Sequence, residues 1–472
     1  MVFSDPAFLF YFLPIGLLAY WSGLWRIRNT FLLLISILFY TSGGGGLVAL
    51  VLVSALWTYS VAIAIDRRIN SASKSRLSGL GVGALVASLM FWKYLNFASA
   101  QLSNLISTLI RPFDITTSIV LPIAISFYTF QCVSYIVDVK RKTIPAERNL
   151  VTFLCYVLFF PQLIAGPIVR FVDVKDQLST RPMSIWNDFC LAAPRFFLGL
   201  SKKVLIADQA GQLADAAFGV AGYQLTTADT IVGVVAYTIQ IYFDFSGYSD
   251  MAIGLSKMFG ISFPENFRRP YTAPTVTEFW RRWHISLSTW FRDYVYIPLG
   301  GNRASPLSTY RNLAIVFLLT GFWHGAQWTF LAWGVLHGTA LVVERLLGVN
   351  GIPASKAGYV VGRLWTFLIV TFGWLIFRSV NLSHSVELLT SLFSVDGWST
   401  SDMVSASLTS QRVFWTSIGL VAFVMPGRIC AGEQLSTGQA SALLRSGVMG
   451  TGALASLYVM SASFSPFLYF QF

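Results

Sequence analysis

Residues 275–303 read TVTEFWRRWHISLSTWFRDYVYIPLGGNR, and residues 313–338 read LAIVFLLTGFWHGAQWTFLAWGVLHG. Three of the four histidines, His284, His324 and His337, fall in these two stretches. The first stretch predicts a helix. Pro274 precedes Thr275, and Thr275 with Glu278 fits a capping box, in which a hydroxyl and a carboxylate satisfy the first backbone N–H groups. On an ideal wheel Trp280, Trp283, Leu287, Trp290 and Tyr294 form one apolar stripe. Arg281, Arg282, Ser288 and Arg292 lie off that stripe, with His284 at its edge. One helix is expected from Thr275 until Pro298, Gly300 and Gly301 end it. Its tryptophans and arginines suit a membrane interface or the wall of a wet cavity.

The second stretch differs in kind. Asn312 to Trp323 is almost wholly apolar, His324 follows directly, Gly325 permits close backbone approach, and apolar residues resume through Leu336. His324 is therefore expected at membrane depth, where an ionisable side chain is costly and a functional role is the default. The plainer alternative is a buried histidine that bonds a carbonyl of a neighbouring helix. His337 is expected to line the same cavity, although Gly338 beside it also suits tight helix packing. His384, in NLSHS, reads as a loop residue.

The chain around these stretches is 55% hydrophobic and only 11% charged over 472 residues, against the roughly 25% charge of soluble proteins. It reads as an all-α, polytopic membrane protein and as a single membrane-embedded domain over 1–472. A crossing helix needs about 20 apolar residues, which gives roughly eleven spans plus one or two re-entrant pieces. Breaks are expected at Gly43 to Gly46, Pro122, Pro161 and Gly166, and within Leu77 to Ile110. The N-terminus lacks a basic leader and reads as a retained first span. The net charge of +12 is scattered in short loops, so it speaks for basic loops at the cytoplasmic ends of spans and not for nucleic acid. Arg26 and Arg28, then Arg67 to Arg76, then Lys140 to Arg148 form three such loops, which places the N-terminus outside. Cys132, Cys155, Cys190 and Cys430 show no metal or disulfide spacing.

Two further stretches carry polar side chains among apolar ones. Gln162 in FPQLIAGPIVRF (160–171) fits either a kinked span end or the lining of a pathway. Asp244 and Asp250 in YTIQIYFDFSGYSDMAIG (237–254) are expected to form structural ion pairs with arginines between Arg268 and Arg292.

LPIAISFYTFQCVSYIVDV (121–139), FPQLIAGPIVRF, YFDFSGYSDMAIGLSKMFGI (242–261), ENFRRPY (265–271) running on into the first quoted stretch, and FWHGAQWTFLAWGVLHG (322–338) together resemble the membrane-bound O-acyltransferase family, in its bacterial alginate O-acetyltransferase type. The likeness runs from the first span to the aromatic tail SPFLYFQF. The resemblance implies a multi-pass helical protein of the bacterial inner membrane that moves an acyl group towards an exported polymer. It implies no bound cofactor and no metal, with acetyl-CoA or another acyl thioester as donor. The implied partners are the bilayer, periplasmic acetyltransferases and the polysaccharide synthesis and export machinery. The family's catalytic histidine matches His324, and a second family position, occupied by Asn, Asp or His, matches His284.

Acyl transfer from a thioester to a hydroxyl needs a base for the hydroxyl proton and donors for the oxyanion. His324 is expected to be that base, with His284 orienting a substrate or donating to the carbonyl oxygen; a covalent acyl-histidine stays open. Arg281 and Arg282, with Arg268 and Arg269, are candidates for an anionic donor, but interface anchoring explains each equally well. Trp323 and His337 complete the candidate site. The acceptor is read as alginate, with cellulose, peptidoglycan or a D-alanylated teichoic acid as alternatives. A proton or substrate transporter and a scaffold without chemistry are the competing readings.

Overall fold

A computed structural model describes residues 1–109, 115–164, 166–180, 185–303, 305–349, 351–353, 355–394, 398–424, 432–461 and 467–468. Among these residues the secondary structure is helical throughout, without a strand. The chain forms two compact units, one of residues 1–189 with 255–264, the other of 190–254 with 265–472.

In the first unit, Arg28–Gly44 and Val48–Arg67 are two helices joined through Gly45, whose φ of 54° is left-handed and turns the chain. The glycine break expected there is present. The segment from Leu77, by contrast, is part of one unbroken helix, Ser71–Leu109, of 39 residues. At 1.5 Å per residue it is roughly 58 Å long, well beyond the hydrocarbon thickness of about 30 Å. The stretch after Pro122 becomes helical only at Ile125, because Ala124 adopts a left-handed φ of 64°. The 150–168 segment does not continue as one helix either. Leu150–Leu158 stops short, and Phe160–Leu163 adds a single turn with Pro161 inside it. The Phe160 N–H donates to Ser36 Oγ at 3.0 Å, which frees the Tyr156 carbonyl, and the buried Gln162 amide donates to that carbonyl. Gln162 thus mends a kink, the first of its two expected roles. Phe3, Phe8, Phe12, Phe39 and Phe160 pack ring on ring around this break, with centroids 5.1–6.4 Å apart.

The second unit is built on two helix pairs that approach at glycines. A Cβ on Gly199 would run into the Gly247 carbonyl, and one on Gly247 would meet the Gly199 carbonyl, so Ile185–Ser201 and Thr227–Met258 touch backbone to backbone. In the same way Gly321 meets the Phe330 carbonyl and Gly334 the Phe317 carbonyl, closing the hairpin of Pro306–His324 and Trp328–Leu346. The first contact brings three buried cations beside the two aspartates. Asp250 pairs with Arg195 at 2.9 Å and Lys202 at 2.5 Å, and Asp244 pairs with Lys203 at 2.6 Å. The ion pairs expected of Asp244 and Asp250 exist, but their partners are not Arg268 to Arg292. Those arginines lie beyond the helix end, whereas residues 195–203 run alongside it. Glu265 adds a second carboxylate to Arg195 at 2.5 Å, and Asp208 a second to Lys203 at 2.8 Å.

Four helical stretches, Leu24–Arg67, Ser71–Leu109, Lys356–Arg378 and Ala442–Ser461, are long and apolar enough to cross a membrane. The expected total of about eleven spans stays an expectation. Cys132, Cys155 and Cys190 are free thiols, and Cys430 lies outside the described residues. Of the aromatic tail, Phe467 and Leu468 are described. The Leu468 N–H donates to Asp244 Oδ2 at 2.9 Å, and Lys203 Nζ lies 4.5 Å from the Phe467 ring centre.

Candidate active site

The helix after Pro274 starts where the residues predict. Thr275 Oγ1 accepts from the Glu278 N–H at 3.0 Å. The reciprocal half of the capping box is replaced. Glu278 instead pairs with Arg281 at 2.5 Å and Arg282 at 3.4 Å. The remaining first-turn donors go to Glu344, from inside the Trp328–Leu346 helix, which accepts from the Val276 N–H at 2.5 Å and the Thr277 N–H at 2.9 Å. Nothing local to either helix announces this contact. Its one trace in the sequence is an acidic residue in an otherwise apolar run.

The single helix expected over 275–298 is broken. Val276–Arg282 ends at Trp283, His284 takes left-handed angles (φ 44°, ψ 54°), and Ile285–Phe291 begins anew before a π-turn over Arg292–Tyr296. A non-glycine residue there is uncommon and needs support from its surroundings. Asn266 supplies it. Its carbonyl accepts from the Ile285 N–H at 2.9 Å, and its side-chain oxygen accepts from the Ser286 N–H at 3.2 Å. One residue thereby satisfies two of the donors that a helix start leaves open. The break also changes where His284 points. It is wholly buried, not at the edge of a stripe, and its Nδ1 lies 3.2 Å from Asn266 Oδ1. Phe245 meets its ring edge-on at 4.6 Å. His284 lies outside the spanning helices, and burial pushes its imidazole down to about 3, so the ring is neutral near pH 7.

His324 is the last residue of Pro306–His324, where Gly325 leaves the helix in an extended conformation. It is 5% exposed and walled by Trp333 and Phe377, both edge-on, with centroids 5.0 and 5.1 Å away. Trp323 packs against His324 at 5.0 Å and against His284 at 6.2 Å. His337 is fully buried four residues beyond Trp333, and its Nδ1 accepts from the Trp280 indole N–H at 3.3 Å. The fold thus gathers His284, His324, His337 and Trp323 into one aromatic cluster, with Trp280 and Trp333 closing it at 5.5 Å.

The arginines fare differently. Arg281 is largely exposed and bound to Glu278, and Arg282 bonds Glu278 and Thr272 Oγ1, so neither is drawn into the cluster. Arg268 and Arg269 instead border a polar cavity of about 200 Å³ that also touches Asn266, Tyr242 and Ser249. His384 is not in a loop. It sits in the first turn of Leu382–Ser391, with its N–H on the Asn381 cap at 2.8 Å. Among the described residues no group of three or more His, Cys, Asp or Glu side chains is placed to hold a metal.

Two buried histidines, His284 and His324, thus share the Trp323 ring between them. Comparison with known proteins specifies the class. The family model of membrane-bound O-acyltransferases matches residues 140–385, and the chain belongs to that family. It is an O-acyltransferase. It is 41% identical to a protein of Azotobacter vinelandii named probable alginate O-acetylase AlgI, over 100% of both chains. It is 45% identical to the protein of the same name from Pseudomonas aeruginosa, over 88% of this chain and 79% of that one. A peptidoglycan O-acetyltransferase of Helicobacter pylori is 38% identical over 84% of this chain and 80% of its own.

Proposed function

We propose that this protein passes acetyl groups across the bacterial inner membrane for the O-acetylation of an exported polysaccharide, with alginate as the polymer. All 472 residues serve that one activity, and residues 120–345 carry its chemistry. The observation that supports it is the burial of His324 at a helix end inside the Trp323, Trp333 and Phe377 shell, in a chain 41% identical along its whole length to a probable alginate O-acetylase. An acyl thioester such as acetyl-CoA is the donor. His324 acts as general base: it takes the proton of the acceptor hydroxyl as that oxygen bonds to the thioester carbonyl carbon. The C–S bond then breaks, and the proton leaves with the thiolate. His284 orients the acceptor. Periplasmic acetyltransferases and the polymer export machinery receive the product. Trp323 and His337 shape the cavity wall, while Arg281 and Arg282 anchor the helix at the interface.

The test is the acetyl content of exported polysaccharide from cells carrying His324→Ala, at matched membrane levels of protein. Loss of a general base lowers the rate by about 10²–10⁴-fold, so acetyl ester should fall to background while polymer yield is unchanged. Unchanged acetylation would remove His324 from the chemistry. The similarity to a peptidoglycan O-acetyltransferase favours one second reading, with peptidoglycan as acceptor. Acetyl ester lost from peptidoglycan instead of exopolysaccharide would select it.

A further inference from the structure

We infer that Asn266 is a positioning residue that locks His284 in the tautomer bearing its proton on Nδ1, so that Nε2 carries the lone pair. The orientation of the Asn266 amide decides this. A backbone N–H can only donate, and that of Ser286 points at one end of the amide at 3.2 Å, so that end is the oxygen. The Ser286 hydroxyl donates to the same oxygen at 2.9 Å. The other end, Nδ2, donates to Ser249 Oγ at 3.1 Å, which is consistent with the same orientation. His284 Nδ1 lies 3.2 Å from the oxygen. An unprotonated Nδ1 there would set two lone pairs against each other, whereas a protonated one makes a hydrogen bond. Ser286 Oγ is also 3.5 Å from Nδ1, but its single proton is engaged with the nearer Asn266 oxygen.

The neighbouring histidine is held the opposite way. Trp280 Nε1 can only donate, and its bond to His337 Nδ1 leaves the His337 proton on Nε2. Two buried rings in one aromatic cluster therefore show opposite faces at Nε2, a lone pair on His284 and an N–H on His337. For the reaction the consequence rests on the acyltransferase reading. A neutral His284 with its proton committed to Asn266 accepts a hydrogen bond from a substrate hydroxyl and does not donate to the thioester carbonyl oxygen. This decides between its two expected roles. Asn266 itself is wholly buried and borders the cavity that Arg268 and Arg269 also line.

Only four histidines are present, which makes the tautomers readable by solid-state NMR of the full-length protein, labelled with ¹⁵N-histidine and reconstituted in liposomes. His284 is assigned by the signals lost in His284→Asn. Its Nδ1 should show the shift of a protonated ring nitrogen and its Nε2 that of an unprotonated one. Asn266→Asp keeps the accepting oxygens and should keep this pattern, as should Ser286→Ala. Asn266→Ala should move the ring to the other tautomer or to a mixture. The reverse pattern in the unsubstituted protein, a reversal in Ser286→Ala, or an unchanged pattern in Asn266→Ala would each overturn the inference. The unsubstituted and Ser286→Ala spectra decide the tautomer even where Asn266→Ala fails to accumulate. Acetylation is measured apart from the spectra. The expected tautomer together with undiminished acetylation in His324→Ala would keep the Asn266 assignment and remove the transferase reading instead.

Discussion

His284 occupies a backbone conformation that few side chains accept, and this gives it two separable contributions. Its ring belongs to the aromatic cluster, and its left-handed φ of 44° makes the break between two short helices. His284→Asn should leave the protein in the membrane at normal levels while acetylation falls, because asparagine tolerates left-handed angles. His284→Val should lower the protein level itself, since a β-branched residue there adds strain of about 1–3 kcal/mol. Immunoblotting of membrane fractions beside the acetyl assay separates the two effects. At this scale the sequence was informative about which residues lie together and silent on how they are held. His324 stood out because an ionisable group in an apolar run is costly, and His284 through the family resemblance. The left-handed turn did not, because it is imposed by Asn266, eighteen positions away.

Helices in the second unit are tied by side chains that reach from one element into another. Glu344 holds the start of Val276–Arg282, and that helix carries Trp280 to His337. Glu344→Ala should destabilise the protein by about 1–3 kcal/mol, since the Val276 and Thr277 N–H groups are left buried without an acceptor. A lower midpoint in thermal aggregation of detergent-solubilised protein would register it. The ion pairs predict a larger effect. Asp250→Ala leaves Arg195 and Lys202 buried against fewer negative charges, a loss on the order of 3–5 kcal/mol, and protein should largely disappear from membranes. Retention of normal amounts would show that Glu265 alone suffices for Arg195. Caps and glycine breaks were legible here because they depend on neighbours in sequence: Thr275 and Gly45 behave as their residue types require. The partners of Asp244 and Asp250 were not, because the contact between Gly199 and Gly247 that selects them joins distant helices.

For the whole molecule, composition alone specified a helical membrane protein, and the apolar helices and the family agree. Span boundaries were less legible, since an apolar run continues across a kink that the backbone does not. The 150–168 segment is the example: its hydropathy is unbroken, and its helix ends at Leu158 for reasons that include Ser36, over a hundred residues earlier. Orientation can be tested within the first unit. Lys74, in the first turn of Ser71–Leu109, and Lys142, just past the end of Ile125–Lys140, belong to basic stretches expected on the cytoplasmic side. Cysteines placed at these two positions, in a chain whose native cysteines are replaced, should react with an impermeant maleimide only after the cells are opened. Labelling of intact spheroplasts would invert the assignment.

The left-handed turn at position 284 restricts which side chains the position accepts. Family resemblance gives that position to Asn, Asp or His, and these are the non-glycine residues that populate left-handed angles most readily. They differ in charge and in basicity, but they share a short polar side chain compatible with that turn. The backbone acts as a sieve placed ahead of the chemistry. In this chain the turn penalises aliphatic and β-branched side chains at 284 by shape alone, whatever chemistry the position serves.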